Sequence, residues 1–408
     1  MKTFISFEEA LELTLANVAE GQTERLPLDQ LTGKILAEDI IARVDAPSST
    51  SSRKDGYAVI SSDLAGATEE NPVELKVVGK LAAGDVVAQQ ISSGQAVRVT
   101  TGAPLPEGAN AVLSEEFCEP AEDKIMAHHI AEKGRNILER ASDIRRAETV
   151  ATNGEKLSPA LIGLIASAGL DRAPVHKVPK IAVIASGDEV VAPGKPLTEG
   201  KLYASNMIEI CSWLTLYGFP YSAVLVDDNR QEIQYAITTQ LSEADAFITS
   251  GGAWGSERDL VLNVVADLDW QGLYRRVRMG PGKPVSFGLL EQKPFFVLPG
   301  GPPSNEMAFL QLVLPAIMKM KGASGFSFPV IRAQLAETVR GHRDWTQFIH
   351  ARLEKDRHQL IVKPAKLKSR LLSMAHKEAL IIIPEGWEEW VAGETIEIQL
   401  LNTDFNYR

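Results

Sequence analysis

Three times between residues 181 and 307, a short apolar run feeds a glycine-containing loop that opens into a helical pattern. The stretches are IAVIASGDE at 181–189, AFITSGGAWGSERD at 246–259 and FFVLPGGPPSNEM at 295–307. This repeat constrains the fold more than any other feature, because strands joined through helices return in the same direction and pair in parallel. From about 179 to 322 the alternation is sustained. Candidate strands lie at 180–185, 221–226, 246–249 and 295–298, and candidate helices at 206–217, 229–241, 257–266 and 305–320. The pattern predicts a three-layer α/β domain over 179–322 with a mostly parallel sheet. Ligands of such sheets bind beyond the carboxyl ends of the strands, where all three loops must fall.

The flanking regions obey different periods. Ser6 and Glu9 stand at capping-box spacing before an amphipathic run that ends near Val18, which predicts an N-terminal helix. From about 26 to 144 the chain breaks into short runs such as VELKVV at 73–78 and AVRVT at 96–100, with frequent Gly and Pro, and reads as a mostly β module. Ser158 and Pro159 then open a second helix that Gly169 stops. A helix on either side of the β module predicts a discontinuous helical domain, residues 1–25 with 145–178, into which 26–144 is inserted. GASGFSFP at 322–329 reads as a linker, and the alternating runs beyond it predict a small all-β, barrel-like domain over 326–408.

Composition excludes several classes of function. A chain of 408 residues with 45% hydrophobic and 23% charged residues has the material for several packed cores. A formal charge of −11 opposes nonspecific binding to nucleic acid or anionic membrane, so an anionic ligand would need local cations or a metal. Only two cysteines, Cys118 and Cys211, are present, without histidines at ligand spacing, and they predict neither a disulfide framework nor a zinc site. No run reaches the ~20 apolar residues of a membrane span, and MKTFISFEEALE is charged where a signal peptide is apolar. The expectation is a cytoplasmic protein without nucleic-acid or membrane partners.

Within the α/β region the backbone N–H groups at 250–253 and 300–304 are candidates to hold phosphate-like oxygens. Asp188, Glu189, Asp227, Asp228 and Asp259 lie beside them, as a hard cation such as Mg²⁺ bridging carboxylates and phosphates would require. Lys283 in GPGKP adds a point charge for an oxyanion. Each residue also has a structural explanation. Ser256 and Asp259 have capping-box spacing, Asp227 and Asp228 precede a helix as cap residues do, and glycines at such turns often serve packing alone. Spacing does not choose between these readings, and it names no ligand.

At these residues the chain resembles the molybdopterin molybdenumtransferase family, MoeA and the gephyrin E domain. The matching stretches are KDGYAV at 54–59, TGAPLPEGANAV at 101–112, GRNILERASDI at 134–144, SGDEVV at 186–191, TSGGAWGSERDLV at 249–261, PGKPVSFG at 281–288 and LPGGPPS at 298–304. The resemblance implies a homodimer whose clefts lie between the α/β domain of one subunit and the inserted module of the other. It also implies Mg²⁺-dependent insertion of molybdate, or tungstate, into adenylylated molybdopterin with release of AMP, and contact with other cofactor-biosynthesis proteins. It assigns Asp55, Thr101, Asp143 and Lys283 to catalysis. Ser186, Gly187, Ser250, Gly251, Gly252, Gly300, Gly301, Ser304 and Ser373 fall to the pterin and oxyanion, and Glu189, Asp228 and Asp259 to the metal.

The chain departs from the family pattern at the same loops. Ser49, Thr50, Arg53 and Lys54 replace Phe, Asp, Ala and Met; Gly280 replaces a lysine, Gly301 an asparagine and Trp254 a serine; His350 stands where an arginine is usual. These changes leave a second reading open, a non-catalytic pterin-binding or scaffold paralogue of the same fold.

Overall fold

The computed structural model describes residues 1–251, 260–356 and 359–401. The chain forms two compact units, one of Met1–Glu24 with His176–Arg408 and the other of Arg25–Val175.

The first unit is built on the expected parallel strands, in the spatial order Tyr221–Val226, Ile181–Ser186, Ala246–Ser250, Lys293–Leu298. Their register sets Ser186 opposite Val226, Ala185 opposite Ser250 and Ser250 opposite Leu298, so the strands end level and their loops emerge along one edge. Apolar side chains cover both faces of the sheet. Ile181, Val183, Ile248 and Phe296 pack toward one layer, and Ala182, Ile184, Phe247 and Val297 toward the other, as strands buried on both sides require. The chain from Pro302 to Met320 is helical throughout, with a π turn at Phe309–Val313, and residues 305–314 are all buried. A helix apolar on every side needs protein on every side, and this one has the sheet, the N-terminal helix and the C-terminal barrel around it.

The sheet is mostly parallel, as expected, and a hairpin of Gln271–Gly280 and Ser286–Leu290 continues it beyond Lys293–Leu298 in antiparallel pairing. Residues 322–329 link this region to the barrel, with Phe328 buried in the same core and Phe326 packed edge-on against Tyr217. The structure corrects two expectations. The N-terminal segment does not join residues 145–178: Lys2–Ser6 pairs in parallel with Gln271–Gly280, and Ile5, Ala10 and Val18 are buried with Tyr274, Leu314 and Ile317, whose apolar surface the helix Phe7–Ala16 covers. The C-terminal domain is not all β, since Arg370–Ala375 is a short helix capped by Ser369.

The barrel-like expectation for the C-terminal region is met. Strands Thr346–Asp356, Gln359–Pro364, Val330–Leu335, Thr395–Leu400 and Ala379–Ile383 pair in succession, and the last returns to the first. Closure leaves this ring no open edge. Ile396, Ile398 and Leu400 point inward with Ile381, Val362 and Ala351, which explains the alternation of TIEIQL.

The second unit holds a sheet in the order Ala111–Ser114, Gly56–Val59, Gln95–Val99, Val73–Leu81, Lys124–Ala127, Cys118–Ala121. Its helix Pro159–Ser167 starts where Ser158 Oγ accepts the N–H of Leu161, and Ile165 packs with Leu36, Ile40 and Val175.

Candidate functional site

A cleft of about 410 Å³ opens at the carboxyl ends of the parallel strands, lined by Ser186, Glu189, Ser250, Gly251 and Gly300. These residues come from three separate loops, brought together by the level register of the strands. The Ser186 hydroxyl is buried and acts as a hydrogen-bond donor towards the Asp228 carboxyl. Gly251 has φ +111°, and a Cβ there would meet the Ser186 carbonyl oxygen at 2.4 Å, so the turn requires glycine. Gly300 and Gly301 are different. A Cβ at either would have nothing within 4 Å, so packing does not explain these glycines, and open space lies over their backbone.

The loop amides serve less broadly than the sequence suggested. The Gly251 N–H donates to Leu298 O at 3.2 Å, and the Gly187 N–H to Val226 O. In 300–304 two of the five residues are prolines without N–H groups, and the Ser304 N–H donates to Gly301 O at 3.0 Å. That leaves Gly300 and Gly301 as the donors of this loop. A compensating set comes from the helix Ser205–Leu216, whose N-cap Ala204 has no side chain able to cap it. Its first turn lines the cleft with Ser205, Asn206 and Met207. Asn206 was missed by sequence reasoning. Its amide nitrogen donates to Gly300 O at 2.9 Å, and its Oδ1 is buried without a partner among the described residues. Its only sequence signal was a position at the start of a candidate helix.

Carboxylates gather beside the cleft. Asp188 Oδ1 accepts the N–H of Asp228 at 3.0 Å. Burial pushes the Asp228 carboxyl above the ordinary range; the hydrogen bond from Ser186 opposes this, and the charges of Glu189 and Asp188 reinforce it. The capping alternative for Asp227 and Asp228 is ruled out, because the cap of the helix Arg230–Thr238 is Asn229, whose Oδ1 accepts the N–H groups of Gln231 and Glu232. Gly252, Trp254 and Asp259 lie outside the described residues. Among the described residues no three acidic, histidine or cysteine side chains form a metal-holding group.

A second cavity, of about 750 Å³, adjoins the first through Pro303 and Arg370, which line both. His350, Lys366, Lys368 and Ser373 also line it. Ser373 Oγ accepts the N–H of Leu367 at 3.1 Å and ties down the segment that carries the cations. These are the local positive charges that an anionic ligand of an acidic protein needs. Sequence reasoning missed Lys366, Lys368 and Arg370, since a basic run on a loop is ordinarily a solvated surface.

Of the sequence-derived site residues in the first unit, Gly187, Asp228, Lys283, Gly301 and Ser304 are in neither cavity lining. Ser304 sits in the first turn of the helix Pro302–Ala308. The Lys283 ammonium lies 5.3 Å from the ring centre of Phe4 and 5.0 Å from that of Trp345, a cation–π clamp. In the second unit, Thr101 donates to Asp55 Oδ1 through its N–H at 2.6 Å and its hydroxyl at 3.1 Å. These bonds hold the Asp55 carboxyl below its usual range. Asp143 is separately placed, with its N–H donating to Ala46 O and its carboxylate accepting from Ser142 Oγ at 3.4 Å.

Comparison with known proteins matches nearly the whole chain. Residues 5–169 match the MoeA N-terminal region (domain I and II), 182–319 a probable molybdopterin binding domain and 332–401 the MoeA C-terminal region (domain IV). A molybdopterin molybdenumtransferase of Haemophilus influenzae is 36% identical over 389 residues, covering 93% of this chain and 94% of its own. The chain belongs to the MoeA family. A second relative, molybdopterin molybdenumtransferase 2 of Mycobacterium tuberculosis, is 30% identical and covers 91% of this chain and 94% of its own. Two crystal structures of the molybdopterin biosynthesis MoeA protein from Pyrococcus horikoshii superpose with TM-scores of 0.86 and 0.79 at 29% and 28% identity. They cover 98% and 97% of this chain, and 99% and 100% of their own. No helix among the described residues of this MoeA-family chain is long and apolar enough to cross a membrane.

Proposed function

We propose that this protein is a transferase of molybdenum cofactor biosynthesis that inserts molybdate, or tungstate, into the dithiolene of adenylylated molybdopterin and releases AMP. The observation that carries this reading is the pair of adjoining cavities, one formed by glycine loops and a helix N-terminus beside carboxylates, the other cationic, with Arg370 on both.

In the first cavity Gly300, Gly301 and the first turn of the helix Ser205–Leu216 hold the pterin phosphate, because N–H dipoles and a helix N-terminus favour an anion. Asn206 offers its buried Oδ1, without a partner among the described residues, to orient the ring system. In the second cavity Lys368, Arg370 and Ser373 hold the oxyanion. Held by both, the reacting groups meet without a bimolecular search, and fixed charges stabilise the redistribution of charge on transfer.

Mg²⁺ fits the acidic edge of the first cavity. A carboxyl raised by burial and by two like charges, as Asp228 is, is one that a cation would relieve. Asp228 and Glu189 would hold the ion. Mg²⁺ commonly takes one or two carboxylates and completes its shell with water and substrate phosphate, so a three-ligand protein cage is not needed. Bound there, the ion would supply charge neutralisation at the pyrophosphate.

The Asp55–Thr101 pair belongs to the same reading through a homodimer, in which the inserted module of one subunit completes the cleft of the other. Incubation of the purified protein with adenylylated molybdopterin, Mg²⁺ and molybdate should release AMP. Absence of AMP with both molybdate and tungstate would sink the proposal. The clamp on Lys283 favours the second reading, a pterin-binding paralogue without turnover. Calorimetry distinguishes the two, since tight pterin binding without AMP release is the paralogue's signature.

A further inference from the structure

The second unit carries a cavity that neither the sequence motifs nor the proposed reaction uses. It measures about 580 Å³ and is lined by four arginines, Arg25, Arg43, Arg146 and Arg172, together with Glu38 and Asp39. Arg25 and Arg172 stand on two paired strands, Arg43 follows the strand Ile40–Ile41, and Arg146 comes from the loop before Thr149–Ala151. Long-range backbone bonds fix these positions. The Arg43 N–H donates to Ala168 O at 2.8 Å, the Ala147 N–H to Ala42 O at 2.9 Å and the Leu28 N–H to Asp171 O at 3.2 Å. The four cations are therefore gathered by tertiary structure and do not form a run along the chain.

The carboxylates nearby do not neutralise them. Glu38 pairs with Arg25 at 3.3 Å in an exposed contact, and Asp39 Oδ1 accepts the N–H of Asn153 at 2.8 Å. Asp45, whose charge acts on Arg146, accepts Nε of Arg140 at 2.8 Å and the N–H of Arg146 at 2.8 Å. The guanidinium groups of Arg43, Arg146 and Arg172 make no ion pair or hydrogen bond of their own among the described residues. In a chain of formal charge −11 this is a local reversal of sign, and an anion seated there relieves the repulsion among the arginines.

The wall also narrows the class of ligand. Four arginines against two carboxylates leave a net charge of +2, which suits a phosphate group of about −1.5 to −2 at neutral pH. A guanidinium offers a planar fork that takes phosphate oxygens two at a time. The rest of the wall is apolar, from Leu170, Pro174 and Ile41, which is 46% exposed, so the ligand gains by carrying an apolar part beside its charge. We propose that this cavity is a separate anion site for a small phosphomonoester, with Arg43, Arg146 and Arg172 on the phosphate and Ile41, Leu170 and Pro174 against the organic part. The site does not rest on the proposed transfer reaction, and none of its residues has a place there.

The test is calorimetric titration of the full-length protein with phenyl phosphate, at low ionic strength and in chelator. R43Q/R172Q should bind at least about tenfold more weakly than wild type, from the loss of two charge-assisted contacts. R43K/R172K keeps the charges and loses the forks, so its affinity should fall between the two. R370Q, which alters the cationic cavity of the first unit, should retain the wild-type affinity. Inorganic phosphate should bind more weakly than phenyl phosphate, because it leaves the apolar wall uncovered. Unliganded R43Q/R172Q should melt at the wild-type temperature, since the two guanidinium groups are exposed and unpaired, so weaker binding in a folded variant reports on the site. No binding by wild type, equal affinity in wild type and R43Q/R172Q, or binding lost in R370Q overturns the proposal. Equal affinity for phenyl phosphate and inorganic phosphate overturns the assignment to a phosphomonoester.

Discussion

Gly251 lies so close to Ser186 that a Cβ at residue 251 would sit 2.4 Å from the Ser186 carbonyl oxygen. Two loops of the parallel sheet therefore meet backbone to backbone at the floor of the first cavity. Gly251→Ala should destabilise the first unit by about 1–3 kcal/mol, from strain at positive φ and the displaced strand end. Gly300→Ala should leave stability within about 0.5 kcal/mol, because nothing stands within 4 Å of the new methyl group. If the Gly300 backbone approaches the ligand, that variant instead weakens molybdopterin binding. Denaturant unfolding and pterin titration of both variants check the contrast, and equal effects on stability would contradict it.

Asp228 gives a pH prediction whose sign follows from its raised carboxyl. A group whose folded pKa exceeds its unfolded one stabilises the fold in protonated form. That contribution is complete below the unfolded range and is lost as pH rises through the folded value. In chelator, the melting temperature should therefore fall over that window in wild type and less in Asp228→Asn. Mg²⁺ should raise the melting temperature of wild type and not of the variant. A Mg²⁺ effect of the same size in both would remove Asp228 from the metal site.

The opposite sign holds for Asp55, whose carboxyl is lowered by the bonds from Thr101. Its contribution is present above the unfolded carboxylate range and is lost as pH falls through the lower folded value. Thr101→Val removes one of the two donors, so the Asp55 resonance should titrate at higher pH than in wild type. AMP release should fall if this carboxylate acts in the reaction. An unchanged Asp55 titration would show that the hydroxyl bond contributes nothing.

Lys283 is held against the rings of Phe4 and Trp345. Trp345→Leu should cost about 0.5–1 kcal/mol in lost cation–π attraction. It also releases the ammonium, so any effect of Lys283→Gln on molybdate affinity should be larger in the Trp345→Leu background than in wild type. The double-mutant cycle measures this coupling directly, and additive effects would mean that the clamp does not restrain the lysine.

The candidate site was legible in sequence wherever local periodicity carried it. The apolar runs ending at Ser186, Ser250 and Leu298 lie where expected, because strands buried on both faces need uninterrupted apolar residues. The helix starts at Ser6 and Ser158 followed from capping chemistry that acts over three residues. The antiparallel hairpin beyond Lys293–Leu298 was missed because Arg275, Arg276 and Arg278 interrupt the apolar alternation of its first strand.

Sequence alone determined the parallel strands, the edge from which the glycine loops emerge and the family to which the loops belong, since each is written in residues that are near neighbours along the chain. Only the tertiary structure decided that Lys2–Ser6 would extend that sheet, that Arg370 would reach the cavity at the strand ends, and that Glu306 would stand between Lys377 and His350. Those pairings join residues far apart in sequence. Their energy lies in burial and in charge neutralisation, which depend on what surrounds a side chain rather than on what precedes or follows it.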